Sequence, residues 1–333
     1  MKMKKALFTM VAMAVGVLSA HAIDDTTVEI AYSGTTATVT VASNISSYVT
    51  VNSGTSSHVQ LTQSSSFDPT AFKTTTNTTG EITYILSGST TDGEFYLTAP
   101  SKCTIQLAGL TLTNAMQVYS GAAISVYGGK RIKLSAKNET TNTLQDYVSG
   151  TQDACVYVKG HLELQGKGTL TVYGNYKHAI KSTEYMSVKN LTLNIPTAVK
   201  DGMHCDEYFL MESGTVTLEN IGSDGIEVDI DSSSTQTAEL TDHDGENSGN
   251  FYQEDGTLTI SATELISVGG TEYHRGGTYN GTSYSGISTI SGDAATTTTA
   301  DGIYDLNGRR VSTPTKGLYL IHSNGKTTKA IIK

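Results

Sequence analysis

An all-β chain built as a β-solenoid, with a small C-terminal β appendage, is what the sequence predicts, and three observations predict it. The first is a repeat between Asp153 and Asp229: a small and an aliphatic residue, a charged turn, then a short alternating apolar run. Its copies read His178-Ala179-Ile180-Lys181 with Leu191-Thr192-Leu193, then Asp201-Gly202-Met203-His204 with Gly214-Thr215-Val216-Thr217-Leu218, then Asp224-Gly225-Ile226-Glu227. Ala179 to Gly202 and Gly202 to Gly225 each span 23 residues, and Ala154 to Ala179 spans 25. Such a period is too short for a propeller blade and suits one coil of a solenoid. The second is composition: 33 Gly, 4 Pro, no Trp, 16% charged residues and many Thr and Ser, as short strands with polar corners require. The third is that no run of ten or more residues carries helical periodicity with caps.

In chain order, residues 1–22 read as a secretory signal peptide. Met1-Lys2-Met3-Lys4-Lys5 is a basic start, Ala6 to Leu18 an apolar run too short to span a membrane, and Ala20-His21-Ala22 a cleavage signal. Removing it takes the formal charge from −10 to −13, which excludes nucleic acid as an expected partner. Residues 23–80 form an N-terminal β region, with alternation as in Thr38-Val39-Thr40-Val41 and a polar loop over Ser64 to Gly80. The solenoid is expected over 81–292, interrupted by an acidic, unpatterned insertion at Ser232 to Glu254 before Gly256-Thr257-Leu258-Thr259-Ile260 resumes a strand. A Thr-rich linker at 293–300 leads to a unit at 301–333 with six basic and two acidic residues. Cys103, Cys155 and Cys205 lack CxxC spacing, which argues against zinc held by thiolates; they read as small apolar residues in inward stacks.

Two resemblances follow. Gly302 to Val311, Pro314-Thr315-Lys316-Gly317-Leu318-Tyr319 and Lys329-Ala330-Ile331-Ile332-Lys333 resemble the C-terminal sorting tail of Bacteroidetes proteins exported by the type IX system. That implies a secreted or cell-surface protein whose tail is read by secretion machinery. The body resembles a family of secreted bacterial right-handed parallel β-helix proteins that bind carbohydrate. The likeness rests on Tyr84-Ile85-Leu86-Ser87-Gly88, Gly168-Thr169-Leu170-Thr171-Val172-Tyr173-Gly174-Asn175 and the Asp-Gly openings at Asp201 and Asp224. It implies a pectate-lyase-like fold, pectin-like acidic polysaccharide as ligand, and calcium. A calcium site carries over to Asp201 and Asp224 and not to His178, which stands where an Asp usually begins the coil.

Charge distribution carries the strongest functional signal. Lys159 to Lys200 holds six lysines and two acids, whereas Asp201 to Asp255 holds fifteen acids and no Lys or Arg. Stacked coils place equivalent positions about 5 Å apart, where carboxylates repel unless neutralised. A hard divalent cation with oxygen ligands supplies that neutralisation, and calcium tolerates irregular loops. The expected ligands are Asp201, Asp206, Asp224, Glu227, Asp229 and Asp231, with Asp242, Asp244 and Glu246 as a second group. On the basic side Lys177, Lys181 and Lys200 sit at or next to coil corners and suit the carboxylates of a uronic-acid chain; His204 and Tyr176 complete the expected ligand-binding set. Tyr173, Tyr185 and Tyr208 are further candidates for contact with sugar rings.

Three function classes stay open. The first is a non-catalytic, surface-displayed binder of acidic polysaccharide, assisted by calcium. The second is a polysaccharide lyase of the same fold, which needs a strong base over an acidified proton; Arg131 and Arg275 are not beside the acidic cluster, and Lys181 or Lys200 could serve as the base although nothing singles them out. The third is a structural or adhesive surface protein without a sugar ligand.

Overall fold

The computed structural model describes residues 26–53, 56–230, 248–284, 302–304, 311, 314–323 and 326–332. The expected signal peptide, the linker at 293–300, Asp231 and the second acidic group all lie outside these residues. The chain divides into two compact units, Met1–Ile287 and Ser288–Lys333.

In the larger unit the strands form one mostly parallel sheet of three ladders. The first stacks Thr27–Ser33, Ile82–Thr90, Cys103–Thr113, Ile132–Ala136, Leu162–Gly166, Met186–Lys189, Phe209–Met211, Phe251–Gln253 and Glu272–His274. The second takes the latter parts of Ile82–Thr90 and Cys103–Thr113, then Thr141–Gln145, Thr169–Gly174, Thr192–Ala198, the first halves of Thr215–Val228 and Thr257–Val268, and Gly277–Tyr279. The third stacks His58–Gln63, Glu94–Thr98, Ile124–Tyr127, Ala154–Val158, His178–Ser182, Met203–Cys205 and the second halves of those same two long strands. From Ile132 onward the chain visits the ladders in this order, once per rung.

Alternation explains the core. Ile82, Cys103, Ile132, Leu162, Met186, Phe209 and Phe251 pair in register up the first ladder and are at most 1% exposed. Burying one such side chain stabilises by about 1.5–3 kcal/mol. At the end of this stack the Phe209 and Phe251 rings lie 5.2 Å apart and nearly parallel. All three cysteines are buried and unpaired, and burial pushes the Cys103 thiol up to about 12.

Three details differ from the sequence reading. Val156 pairs with Ile180 and Ala154 with His178, so that rung is 24 residues long; aligning Ala154 with Ala179 was one residue out. The N-terminal strands Thr27–Ser33 and His58–Gln63 join the first and third ladders, so the region before residue 81 is part of the same sheet. Phe251–Gln253 is a strand, although it falls in the stretch read as an unpatterned insertion; three residues are too few to show alternation. The Gly- and Tyr-rich stretch after Gly269 continues the ladders and ends in an antiparallel turn between Gly277–Tyr279 and Thr282–Tyr284. The smaller unit contains Gly302–Tyr304, Gly317–Ser323 and Lys326–Ile332 paired antiparallel.

A buried carboxyl ties one rung to the next. Asp146, 3% exposed, accepts the backbone N–H groups of Asn175 at 2.6 Å and Tyr176 at 3.3 Å. Burial outweighs those donors and pushes its carboxyl up to about 7. A group whose folded pKa is raised contributes stability that is present below the unfolded value and lost as pH rises through the folded one. Unfolding free energy is therefore expected to fall between about pH 4 and pH 7, and Asp146→Asn should flatten that slope in denaturant titrations run across the range.

Candidate functional site

The site is set by register on the third ladder. Tyr157, Lys181, His204 and Glu227 pair in succession, with inward Val156, Ile180, Met203 and Ile226 beside them, none of them exposed. Asp201 and Asp224 occupy the corner before this strand, one rung apart: Ala179 N–H donates to Asp201 O at 3.1 Å and Gly202 N–H to Asp224 O at 2.9 Å. The glycine of the Asp-Gly opening is required by close approach. A Cβ on Gly202 would lie 2.7 Å from the carbonyl oxygen of Gly225 on the next rung.

His204 is the hub. Its Nδ1 lies 2.8 Å from Glu227 Oε2 and 3.2 Å from Asp201 Oδ2. Its Nε2 lies 3.0 Å from Asp206 Oδ1 and 3.5 Å from Asp229 Oδ2. On the preceding rung, His178 Nδ1 is 2.8 Å from Asp201 Oδ2. The two imidazole rings are 4.8 Å apart. Asp224 donates its backbone N–H to Asp201 Oδ1 at 3.3 Å, and Ser223 Oγ donates to Asp224 Oδ2 at 3.2 Å. Asp201 is wholly buried, and His178 and His204 nearly so; the side chains of Glu227, Asp206 and Asp229 are 24%, 31% and 56% exposed.

Protonation follows from this packing. Burial opposes the imidazolium of His204, but hydrogen bonds to Asp201 and Asp206 outweigh it and raise its pKa to about 9. An imidazolium donating to carboxylates from both nitrogens is thus the charge that holds the acids together. Burial works against the Asp201 carboxylate, yet the close approach of His178 and hydrogen bonds from His204 and Glu227 hold it well below the usual range. Glu227 moves the other way, to about 7, because it shares a proton with Asp201 and is partly buried. Burial lowers His178 and keeps that ring neutral.

The structure brings together Asp201, Asp206, Asp224, Glu227 and Asp229 of the expected ligands. Asp201 lies beneath the histidines instead of on the open wall. Lys181 stands one rung from His204. Lys177 and the exposed Lys200 are stacked one rung apart, Lys200 N–H donating to Lys177 O at 2.9 Å, but the Lys177 ammonium is paired with Asp153 at 2.6 Å and lies over the Tyr176 ring. Tyr185 and Tyr208 do not face a ligand: they are 2% exposed and stacked on each other at 4.9 Å. Tyr173 belongs to the second ladder.

Sequence reasoning missed two features. His178 was excluded from the cluster because it is not an acid, yet it occupies the corner that Asp201 and Asp224 occupy on the next rungs. The other is a run of half-buried tyrosines higher on the third ladder: Tyr96 and Tyr127 stack at 5.1 Å, the Tyr157 ring is tilted against Tyr127 at 5.6 Å, and Tyr119 lies against Tyr96. In register Tyr96 pairs with Ser125 and Ser125 with Tyr157, rungs of 29 and 32 residues, so Tyr127 sits two residues further along its strand and no constant interval marks the run.

Comparison with known proteins places this geometry. The chain is similar in structure to a polysaccharide lyase-like protein from C. thermocellum, solved as a gadolinium derivative, at 16% identity with a TM-score of 0.52, covering 76% of this chain and 96% of that one. At that identity the likeness concerns the fold. No curated protein matches the chain. The model of the family described as carbohydrate-binding domain-containing protein matches residues 72–305, which include every rung from Ile82 onward and the whole His204 cluster. The chain belongs to this carbohydrate-binding domain-containing family.

Proposed function

We propose that the larger unit is a right-handed parallel β-helix, its three ladders forming the walls, and that it binds acidic polysaccharide of the pectin or polygalacturonate type without cleaving it. The observation that carries this reading is the outer face of the third ladder. There the ring contacts of Tyr96, Tyr127 and Tyr157 lead to Lys181, one rung after Tyr157, and then to the half-exposed carboxylates around His204. Rings packed against one another present edges and hydroxyls, and these are what a glycan lying along the ladder meets. Lys181 supplies a cation for a uronate. Calcium, bound by the exposed carboxylates of Asp206 and Asp229 through oxygen, bridges to the next uronate. In this reading the protein is secreted and displayed at the cell surface, and its C-terminal unit is the address read by type IX secretion machinery.

The non-catalytic part of the proposal is supported by where the strong bases lie. Among the described residues the arginines are Arg131, in a buried ion pair with Glu81, and Arg275, paired with Glu254 at 2.6 Å and stacked over Tyr252 and Tyr273. Neither arginine stands over the cluster, and Lys181, one rung from His204, is assigned in this reading to holding a uronate and not to taking its proton. The test is retention of the full chain on immobilised polygalacturonate against a neutral glucan. Retention on polygalacturonate alone, weakened by EDTA and restored by calcium, with no unsaturated uronide released, is expected. Equal retention on both supports, or release of unsaturated product, contradicts it.

A further inference from the structure

The His204 cluster contains two ligands that oxygen-seeking cations do not use. His178 Nδ1 approaches Asp201 Oδ2 to 2.8 Å but off the line that a hydrogen bond needs, and this nitrogen, on a residue 3% exposed, has no hydrogen-bond partner. Buried polar atoms are normally satisfied, so an orphan here calls for an explanation. Two electron-pair donors at near-contact distance, neither aimed at the other, have the arrangement of co-ligands of one ion. Bonds of about 2.0–2.1 Å to a tetrahedral ion leave its ligand atoms about 3.3 Å apart. The second imidazole completes the set when the ion displaces its Nδ1 proton: His204 Nδ1 is 3.2 Å from the same Asp201 oxygen. Ligand atoms of His178, Asp201 and His204 lie within 4.8 Å of one another, and all three residues are buried.

We propose that His178, Asp201 and His204 form a binding site for a zinc-type divalent ion, with Glu227, whose Oε2 is 2.8 Å from His204 Nδ1, beside the fourth position. Donor chemistry selects the ion. Calcium and magnesium take oxygen ligands, whereas two imidazoles and one carboxylate suit zinc, nickel or copper. The ligands come from consecutive rungs, so the ion braces the third ladder along its length. Replacement of an aspartate by His178 at the corner repeated in Asp201 and Asp224 is what turns an all-oxygen corner into a mixed one. The site goes beyond the glycan reading: it needs no sugar and stands whether or not the chain binds one.

The test uses full-length protein stripped of metal by a chelator and titrated calorimetrically with zinc chloride and, separately, calcium chloride, with thermal melting alongside. One zinc is expected to bind about 100-fold or more tighter than calcium and to raise the melting temperature by linkage. Cobalt(II) should give the visible bands of a four-coordinate nitrogen and oxygen site. His178→Ala should weaken zinc by about 100-fold, the scale on which even residues that only orient ligands act. His178→Asp should move the preference toward calcium. Wild-type protein that prefers calcium, or binds zinc no tighter than it, overturns the proposal whatever the variants do; so does a folded His178→Ala that binds zinc like wild type. Zinc binding without retention on polygalacturonate overturns the glycan reading alone.

Discussion

Asp201→Ala is expected to destabilise the larger unit by about 3–5 kcal/mol, the range for removing one partner of a buried ion pair. The carboxylate is wholly buried and hydrogen-bonds the imidazole of His204 and the backbone N–H of Asp224, with His178 Nδ1 packed against it at 2.8 Å. Without it the corner keeps two buried imidazoles and a backbone donor facing a void. Asp201→Asn keeps an acceptor for that N–H and should cost less, about 1–3 kcal/mol. Equilibrium unfolding in guanidinium at neutral pH measures both, and the loss should persist in EDTA because the hydrogen-bonding role needs no ion. A folded pKa held low gives a contribution that is present above the unfolded value and lost as pH falls. The gap between wild type and Asp201→Asn should accordingly narrow on acidification.

Arg131→Ala should cost a comparable amount for a different reason. Arg131 and Glu81 stand at the starts of first-ladder strands two rungs apart, and their side chains are 8% and 9% exposed and directly bonded. Glu163 lies 3.8 Å from Arg131 Nε on the following rung. Truncating the arginine leaves Glu81 buried without its cation, a loss of about 3–5 kcal/mol, whereas replacing both partners by apolar residues of similar size should be far milder. A double-mutant cycle on Arg131 and Glu81, read by denaturant unfolding, separates the two effects. Single losses that add without coupling would mean that the pair does not hold these rungs together.

What was legible in the sequence followed from period, and what was not followed from burial. Equal spacing of Ala179, Gly202 and Gly225 announced register, and the structure pairs Ile180 with Met203 and Met203 with Ile226 accordingly. Because register brings outward positions together, the convergence of Asp201, Asp206, Glu227 and Asp229 could be read from the same spacing. Which of these carboxylates lies underneath could not, since a corner residue has no alternation to give its direction. Counting acids against lysines also concealed the role of His204. A histidine is neutral in that tally, yet four carboxylates around its ring turn it into the local cation. The tyrosine run was not legible because longer loops stretch the upstream rungs to 29 and 32 residues and because Tyr127 lies two residues out of register with Tyr96 and Tyr157.

The outer face of the third ladder is the surface proposed to meet a glycan, and titration of polygalacturonate into wild type, Tyr127→Ala and Tyr157→Ala by calorimetry is the decisive measurement. These rings are half-buried on the outside of the ladder, so each truncation should leave the fold intact and the circular dichroism unchanged. Each truncation removes a hydroxyl and ring-edge contact worth about 0.5–1.5 kcal/mol, so affinity should fall roughly two- to tenfold for each. Binding by both variants that is indistinguishable from wild type would place the glycan elsewhere and contradict the assignment.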